Sequence, residues 1–362
     1  MKFVVKVGST SITLPEGDLD DGALAGLCDQ VEAAGADGHQ AVVVSSGAIA
    51  AGMGALGMRT RPTDIADLQA LAAVGQGRLM AHYALLFAER GRTVGQVLLT
   101  GYDFGNRQAY LNARATLGRL IERGIVPIVN ENDTVATDEI RLGENDRLAA
   151  LVATLVGARL LLVLTDTPGV FSSDPRLNSE ASLIEEVARI DAELEAAAGG
   201  PGSPFGAGGM ASKVAAAKIA SWSGISCVIA GATETDVVRR ALNGETVGTV
   251  VRPRSRPLQA RKVWIAFAQP PRGHLVVDAG AVDALCRGGR SLLPVGVREV
   301  EGTFDAGDAV EIVGPDRRLV AKGLAAHGSE TIASMAGRRS TDLAPGIPEE
   351  AVHRDDLVVL IE

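Results

Sequence analysis

DRLAALVATLVGARLLLVLTD, residues 146–166, changes its grammar partway along. DRLAALVATLVGA spaces its apolar residues as a helix does. LLLVLTD (160–166) is an apolar run too short for a helix, and it reads as a buried strand. The same alternation recurs on both sides. FVVKV (3–7) precedes a helix around 20–34, and AVVVS (41–45) leads into the turn GAIAAG. TVGQVLLT (93–100) precedes the helical LNARATLGRLIERG, and IVPIVNEND (125–133) precedes the quoted stretch. A helix after Lys213 is followed by SCVIAG (226–231) and GTVVRP (248–253). Buried parallel strands with crossover helices predict an α/β fold, a doubly wound αβα sandwich. In such a sheet ligands bind in the crevice at the carboxyl ends of the strands.

After RPRSRP (252–257) the texture changes. HLVVD, RSLLPVGVREVEG, DAVEIV and RLVAKGLAA are short runs punctuated by Gly, Asp and Pro, the pattern of a small β-barrel. A chain of 362 residues is long for one core. Two domains are therefore expected, 1–255 and 256–362, with the Pro/Arg-rich stretch as the boundary.

Composition narrows the function classes. A net charge of −9 argues against nucleic acid as the main partner, since phosphate backbones require a basic footprint. Residues 256–362 alone hold 13 Lys/Arg against 15 Asp/Glu, so the expected barrel has no such footprint either, and RNA binding is not expected. Cys28, Cys227 and Cys286 lie far apart without metal spacing, which points to a reducing compartment and to no metal site. The start, MKFVVKVGST, is not a signal peptide, and the longest apolar stretch, 148–158, is too short to span a bilayer. A cytoplasmic protein with no membrane partner is expected.

Polar residues gather where the strands end. Lys6 and GSTS follow the first strand, SSGAIAAG (45–52) the second, and Asn130, Glu131, Asn132 and Asp133 the one at 125–129. GENDR (143–147) opens a helix, and Thr165 and Asp166 end the next strand. Any one such turn is ordinary capping chemistry. Together, on one edge of one sheet, they outline a site. The five histidines fall outside these clusters, and no cysteine falls inside them. A reaction that needs a strong base or a covalent nucleophile is poorly served. Phosphoryl transfer to a carboxylate needs neither, because the acceptor is already an anion. It needs alignment and positive charge. Lys6 and Lys213 can supply that charge, with Asp146 holding them. GAGGMASK (206–213) places flexible backbone before a helix and a lysine, which suits a phosphate. A mobile surface loop ending in a solvated lysine is the other reading these residues allow.

KVGSTS, VVVSSGAIAAG, YLNAR, VPIVNENDTVAT, GENDRLAALVA, LLLVLTDTPGVF and GAGGMASKVAAAKIA resemble the glutamate 5-kinase family of amino-acid kinases. From about His274, VVDAGAVDAL and SLLPVGVREVEGTFDAGDAV resemble the PUA domain that many of these enzymes carry. The resemblance implies ATP-dependent phosphorylation of the γ-carboxylate of L-glutamate, with Mg²⁺, as the first step of proline biosynthesis. It implies that Lys6 and Lys213 contact ATP phosphates, that Asp146 organises them, and that Ser46, Asp133 and Asn145 bind glutamate. Thr165 and Asp166 are then expected near the nucleotide, with Ala207, Gly208, Gly209, Met210, Ala211, Ser212 and Lys213 over its phosphates. It further implies a homo-oligomer and a possible hand-off of the labile product to glutamate-5-semialdehyde dehydrogenase. Two positions depart from the family pattern. Ser9 and Thr10 follow Gly8 in the reverse of the usual order, and Ala207 stands where the family has threonine. The rivals are a sibling carboxylate or carbamate kinase, and an RNA-binding protein acting through the PUA domain.

Overall fold

The strand that closes the quoted stretch is buried along its whole length, and it sits at the centre of a larger sheet. The computed structural model describes residues 1–14, 17–136, 145–199, 209–339 and 350–361. The chain divides into two units, Met1–Pro257 and Leu258–Glu362. In chain order the strands of the first are β1 (Lys2–Val7), β2 (Gln40–Val44), β3 (Val94–Leu99) and β4 (Val126–Glu131). They continue with β5 (Leu160–Thr165), β6 (Glu186–Val187), β7 (Ser226–Gly231) and β8 (Thr249–Val251).

These eight strands form one sheet in the spatial order β3-β4-β2-β1-β5-β7-β8-β6. The chain leaves β1 toward β2 on one side and returns as β5 on the other, so the order reverses at β1/β5. That is where an open α/β sheet forms its binding crevice. Every ladder is parallel except β7–β8. The sequence reading made GTVVRP another parallel strand. It is antiparallel, because an apolar run records burial and not direction.

Helices cover both faces. On one, the helices Asp21–Ala36, Ile65–Glu89 and Val237–Leu242 pack a core that includes Phe3, Leu27, Tyr83, Phe87, Leu162 and Val237. On the other lie Asp146–Val156 and Met210–Trp222, which pack on each other. The helix of the quoted stretch ends at Gly157, whose φ of 65° is a left-handed cap that glycine adopts without strain. Two further glycines permit a close helix crossing. A Cβ at Gly52 would overlap the carbonyl oxygen of Leu71, and one at Gly75 that of Ala48. Helix Ala48–Ala55 therefore lies almost backbone to backbone on Ile65–Glu89.

The second unit holds β9 (Gly273–Val277), β10 (Val297–Gly302), β11 (Ala309–Val313), β12 (Leu319–Ala325) and β13 (Val352–Val359), ordered β10-β9-β11-β12-β13. Only β9–β11 is parallel. A bridge between Leu292 and Val352 joins the last strand to the segment leading into β10. Leu275, Val277, Leu285, Ile312 and Val352 share its core.

Candidate active site

Lys6 is the next-to-last residue of β1 and is 2% exposed, so its ammonium must find its partner inside the protein. The partner is Asp146, fully buried at the start of the helix that precedes β5. Lys6 Nζ stands 2.7 Å from Asp146 Oδ1. Lys213, in the first turn of helix Met210–Trp222, brings its Nζ to 3.3 Å from Oδ2. Ser212 Oγ donates to the same oxygen at 2.7 Å. Burial raises the pKa of this carboxylate, but Lys6 and then Lys213 outweigh it, and the value falls to about 2. Two ammonium groups thus converge on one buried carboxylate beside the crevice.

Asn145, one residue earlier, faces a different set of groups. Its Nδ2 donates to the Ser45 carbonyl at 2.5 Å and to Asn130 Oδ1 at 2.6 Å. Asn130 Oδ1 also accepts from the Glu131 backbone N–H at 2.9 Å, and Asn130 Nδ2 donates to Gln76 Oε1 at 2.6 Å. Asn145, Asn130, Glu131, Ser46, Asp133, Ser9 and Arg61 line a pocket against the N-terminus of helix Ala48–Ala55. Ser46 Oγ is buried there without a partner among the described residues. Gly47 turns the chain into that helix with φ 94°. Burial pushes the Asp133 carboxyl up to about 6, against the lowering effect of Arg61. An elevated carboxylate beside an orphaned hydroxyl fits a small polar ligand carrying an ammonium group.

The structure thus brings Lys6, Asp146, Ser212 and Lys213 together as one cluster, and Ser46, Asp133 and Asn145 together as one pocket. Thr165 is buried at the end of β5, and its Oγ1 donates to Asp166 Oδ1 at 3.0 Å. Gly209 caps helix Met210–Trp222, placing Met210 and Ala211 in its first turn. Ala207 and Gly208 lie outside the described residues. Sequence reasoning did not single out Arg61, Ser45 or Gln76.

A doubly wound sheet with a paired-lysine cluster at its switch point is the architecture of a phosphoryl-transfer enzyme. Residues 1–231 match the amino acid kinase family, and residues 273–347 match the PUA domain. A glutamate 5-kinase of Burkholderia cenocepacia (strain HI2424) is 47% identical, covering 99% of this chain and 98% of its own. Glutamate 5-kinases of Moorella thermoacetica (45% identity; 99% and 96%) and Geobacter sp. strain M21 (44%; 99% and 97%) are similar over the same extent. A solved isopentenyl phosphate kinase aligns with 69% of this chain and 100% of its own at 16% identity and a TM-score of 0.47, too distant to bear on function. The chain belongs to the amino acid kinase family, in its glutamate 5-kinase branch, and is a kinase with a C-terminal PUA domain.

Proposed function

We infer that this chain transfers the γ-phosphoryl group of ATP to the γ-carboxylate of L-glutamate, forming L-glutamyl 5-phosphate and ADP, the first step of proline biosynthesis. The observation that carries the reading is the adjacency of two chemistries at positions 145 and 146. Asp146 gathers Lys6 and Lys213, while Asn145 lines a pocket suited to an amino acid. An oxygen of the glutamate carboxylate attacks the γ-phosphorus as the bond to the β–γ bridging oxygen breaks, and ADP departs with that oxygen. Lys6 and Lys213 stabilise the charge spread over the transferring group. Asp146 holds both lysines in place. Ser46, Asp133 and Asn145 hold glutamate, Asp133 meeting its ammonium.

Thr165, Asp166 and residues 207–213 take the nucleotide side, with Ala207 lacking the hydroxyl of the usual threonine. Mg²⁺, where it takes part, would come with the nucleotide and would supply positive charge to its phosphates. Among the described residues no cluster of three or more His, Cys, Asp or Glu is placed to hold a metal. The Asp146 oxygens are engaged by lysines and serine, so they do not fit a metal ligand role.

The proposal extends to a catalytic domain over 1–255 and a PUA-like domain over 256–362. It also includes a cytoplasmic homo-oligomer and hand-off of the labile acyl phosphate to glutamate-5-semialdehyde dehydrogenase. No described helix is long and apolar enough to cross a membrane. The test is a panel of carboxylic acids with ATP and hydroxylamine, which traps acyl phosphates as hydroxamates. L-Glutamate should give by far the most product. A larger yield from aspartate, acetate or carbamate would transfer the chain to the sibling kinase reading.

A further inference from the structure

We propose that Gln76 is a positioning residue, the end of a three-amide relay that fixes which face of Asn145 meets the substrate. The inference rests on the glutamate reading above and extends it to a residue that lines no part of the pocket.

An amide side chain can be turned over, exchanging its donor and acceptor ends, and its polarity is set by its partners. Here two backbone groups set it. The Ser45 carbonyl can only accept, so Asn145 must point Nδ2 at it, across 2.5 Å. The Glu131 N–H can only donate, so Asn130 must point Oδ1 at it, across 2.9 Å. The two choices agree, because Asn145 Nδ2 also meets Asn130 Oδ1 at 2.6 Å. Asn130 then presents Nδ2 on its other side, where Gln76 Oε1 receives it at 2.6 Å. Both hydrogens of Asn145 Nδ2 are used within the protein. What Asn145 offers the pocket it lines is therefore Oδ1, an acceptor.

An acceptor beside the Asp133 carboxylate selects a donor, and the donor on glutamate is its α-ammonium. Were Asn130 to turn over, its Nδ2 would face both the Glu131 N–H and Asn145 Nδ2, and Asn145 would lose its second internal acceptor. Gln76 opposes that turn by rewarding the working orientation. It is held there by helix Ile65–Glu89, whose crossing over Ala48–Ala55 is as close as Gly75 permits. Its own Nε2 is buried without a partner among the described residues, so Gln76 is kept in this orientation by its acceptor end alone.

The test compares Gln76→Met, which deletes the acceptor at similar volume, with Gln76→Glu, which retains it. Gln76→Met should raise the KM for glutamate roughly 5- to 150-fold, the range for stranding one buried donor, with ATP KM little changed. Gln76→Glu should stay near wild type. Glutarate, which lacks the α-ammonium, should lose far less kcat/KM than glutamate in Gln76→Met. In an Asn145→Ala background the Gln76→Met effect should vanish. If Gln76→Met does not fold, Gln76→Lys, which presents only a donor, should show the glutamate defect that Gln76→Glu lacks. The relay is overturned if glutamate and ATP constants rise together, if the Met effect persists without Asn145, or if Glu and Lys behave alike. Wild-type enzyme inactive on glutamate would instead overturn the proposed function, which is read separately from these comparisons.

Discussion

Asn145 and Asp146 are neighbours in the chain and face opposite halves of the site. The first donates to Ser45 and Asn130 at the edge of the small-molecule pocket, and the second draws together Lys6 and Lys213. One peptide bond therefore fixes the distance between the groups proposed to hold the acceptor and those proposed to stabilise the transferring phosphoryl. Placing both at the start of one buried helix makes the alignment a property of the backbone. A reaction that needs orientation more than a base benefits most from this arrangement.

Lys213→Ala should lower kcat with little change in glutamate KM, because its charge matters most as the γ-phosphoryl leaves. Losing one donor to developing charge typically costs about 2.7–4 kcal/mol. Steady-state kinetics with both substrates varied checks this. An unchanged kcat would return the lysine to a purely structural role at Asp146.

Asp146→Asn should damage both activity and folding. The amide leaves two ammonium groups facing each other in a buried site, and breaking a buried pair on one side costs on the order of 3–5 kcal/mol. The acid limb of stability should change as well. The carboxyl of Asp146 sits at about 2, below its ordinary 3.8, so its stabilisation is complete above that ordinary value and is lost as pH falls toward 2. Urea melts of wild type and variant between neutral and acid pH should converge at the acid end.

The skeleton of this site was legible in the sequence, and its supporting network was not. Lys6, Asp146 and Lys213 could be named because each is a charged residue at the edge of an apolar run, where a sheet of this kind puts its ligands. The strands β1, β2, β4, β5 and β7 could be named because their runs are apolar on both faces. The direction of β8 escaped, since burial does not encode polarity along the chain. So did β6, only two residues long. Gln76 escaped because a glutamine in an ordinary helix carries no mark of what it touches. Its partner Asn130 is distant in sequence, and only the fold brings them together.

Binding of glutamate should weaken as pH falls through about 6. Burial holds the Asp133 carboxyl near that value in the free enzyme, so acid neutralises the group proposed to meet the substrate ammonium. The KM for glutamate should climb below that pH toward about tenfold per unit, the limit for one required ionisation. Stability moves the other way. A carboxyl whose folded pKa lies above its unfolded 3.8 favours folding below 3.8, and that contribution is lost as pH rises through about 6. Asp133→Asn should therefore melt at a higher temperature than wild type at neutral pH while binding glutamate poorly. A variant that is both less stable and unaltered in KM would remove Asp133 from the pocket's function.

Gly75→Ala should destabilise the first unit far beyond the usual cost of a methyl group. Its Cβ would meet the Ala48 backbone carbonyl, which has no rotamer by which to yield. Overpacking of this kind costs about 1–3 kcal/mol or more. Because Ala48 lines the pocket with Ser46 and Gly75 adjoins Gln76, surviving folded enzyme should also show a raised glutamate KM. Gly77→Ala, two residues along the same helix with open space around its Cβ, is the control and should be neutral or slightly stabilising.

A chain ending at Pro257 should fold and retain glutamate-dependent hydroxamate formation. Every residue proposed to act in the chemistry lies within Met1–Pro257, and that unit has its own sheet and its own core. The stretch RPRSRP at its end is polar and Pro-rich, as domain boundaries commonly are. Residues 258–362 contribute none of the groups proposed for the reaction, so their loss should alter regulation or assembly before it alters kcat. The contrary idea makes RNA binding by the PUA domain the point of the protein. It calls for a salt-sensitive complex with the isolated second unit. Residues 256–362 carry 13 basic against 15 acidic side chains, which does not supply the charge such a complex draws on. Circular dichroism and the hydroxamate assay decide the first part, and a filter-binding titration at two salt concentrations decides the second. A truncated chain that is well folded yet inactive at saturating glutamate and ATP would show that the PUA domain takes part in catalysis.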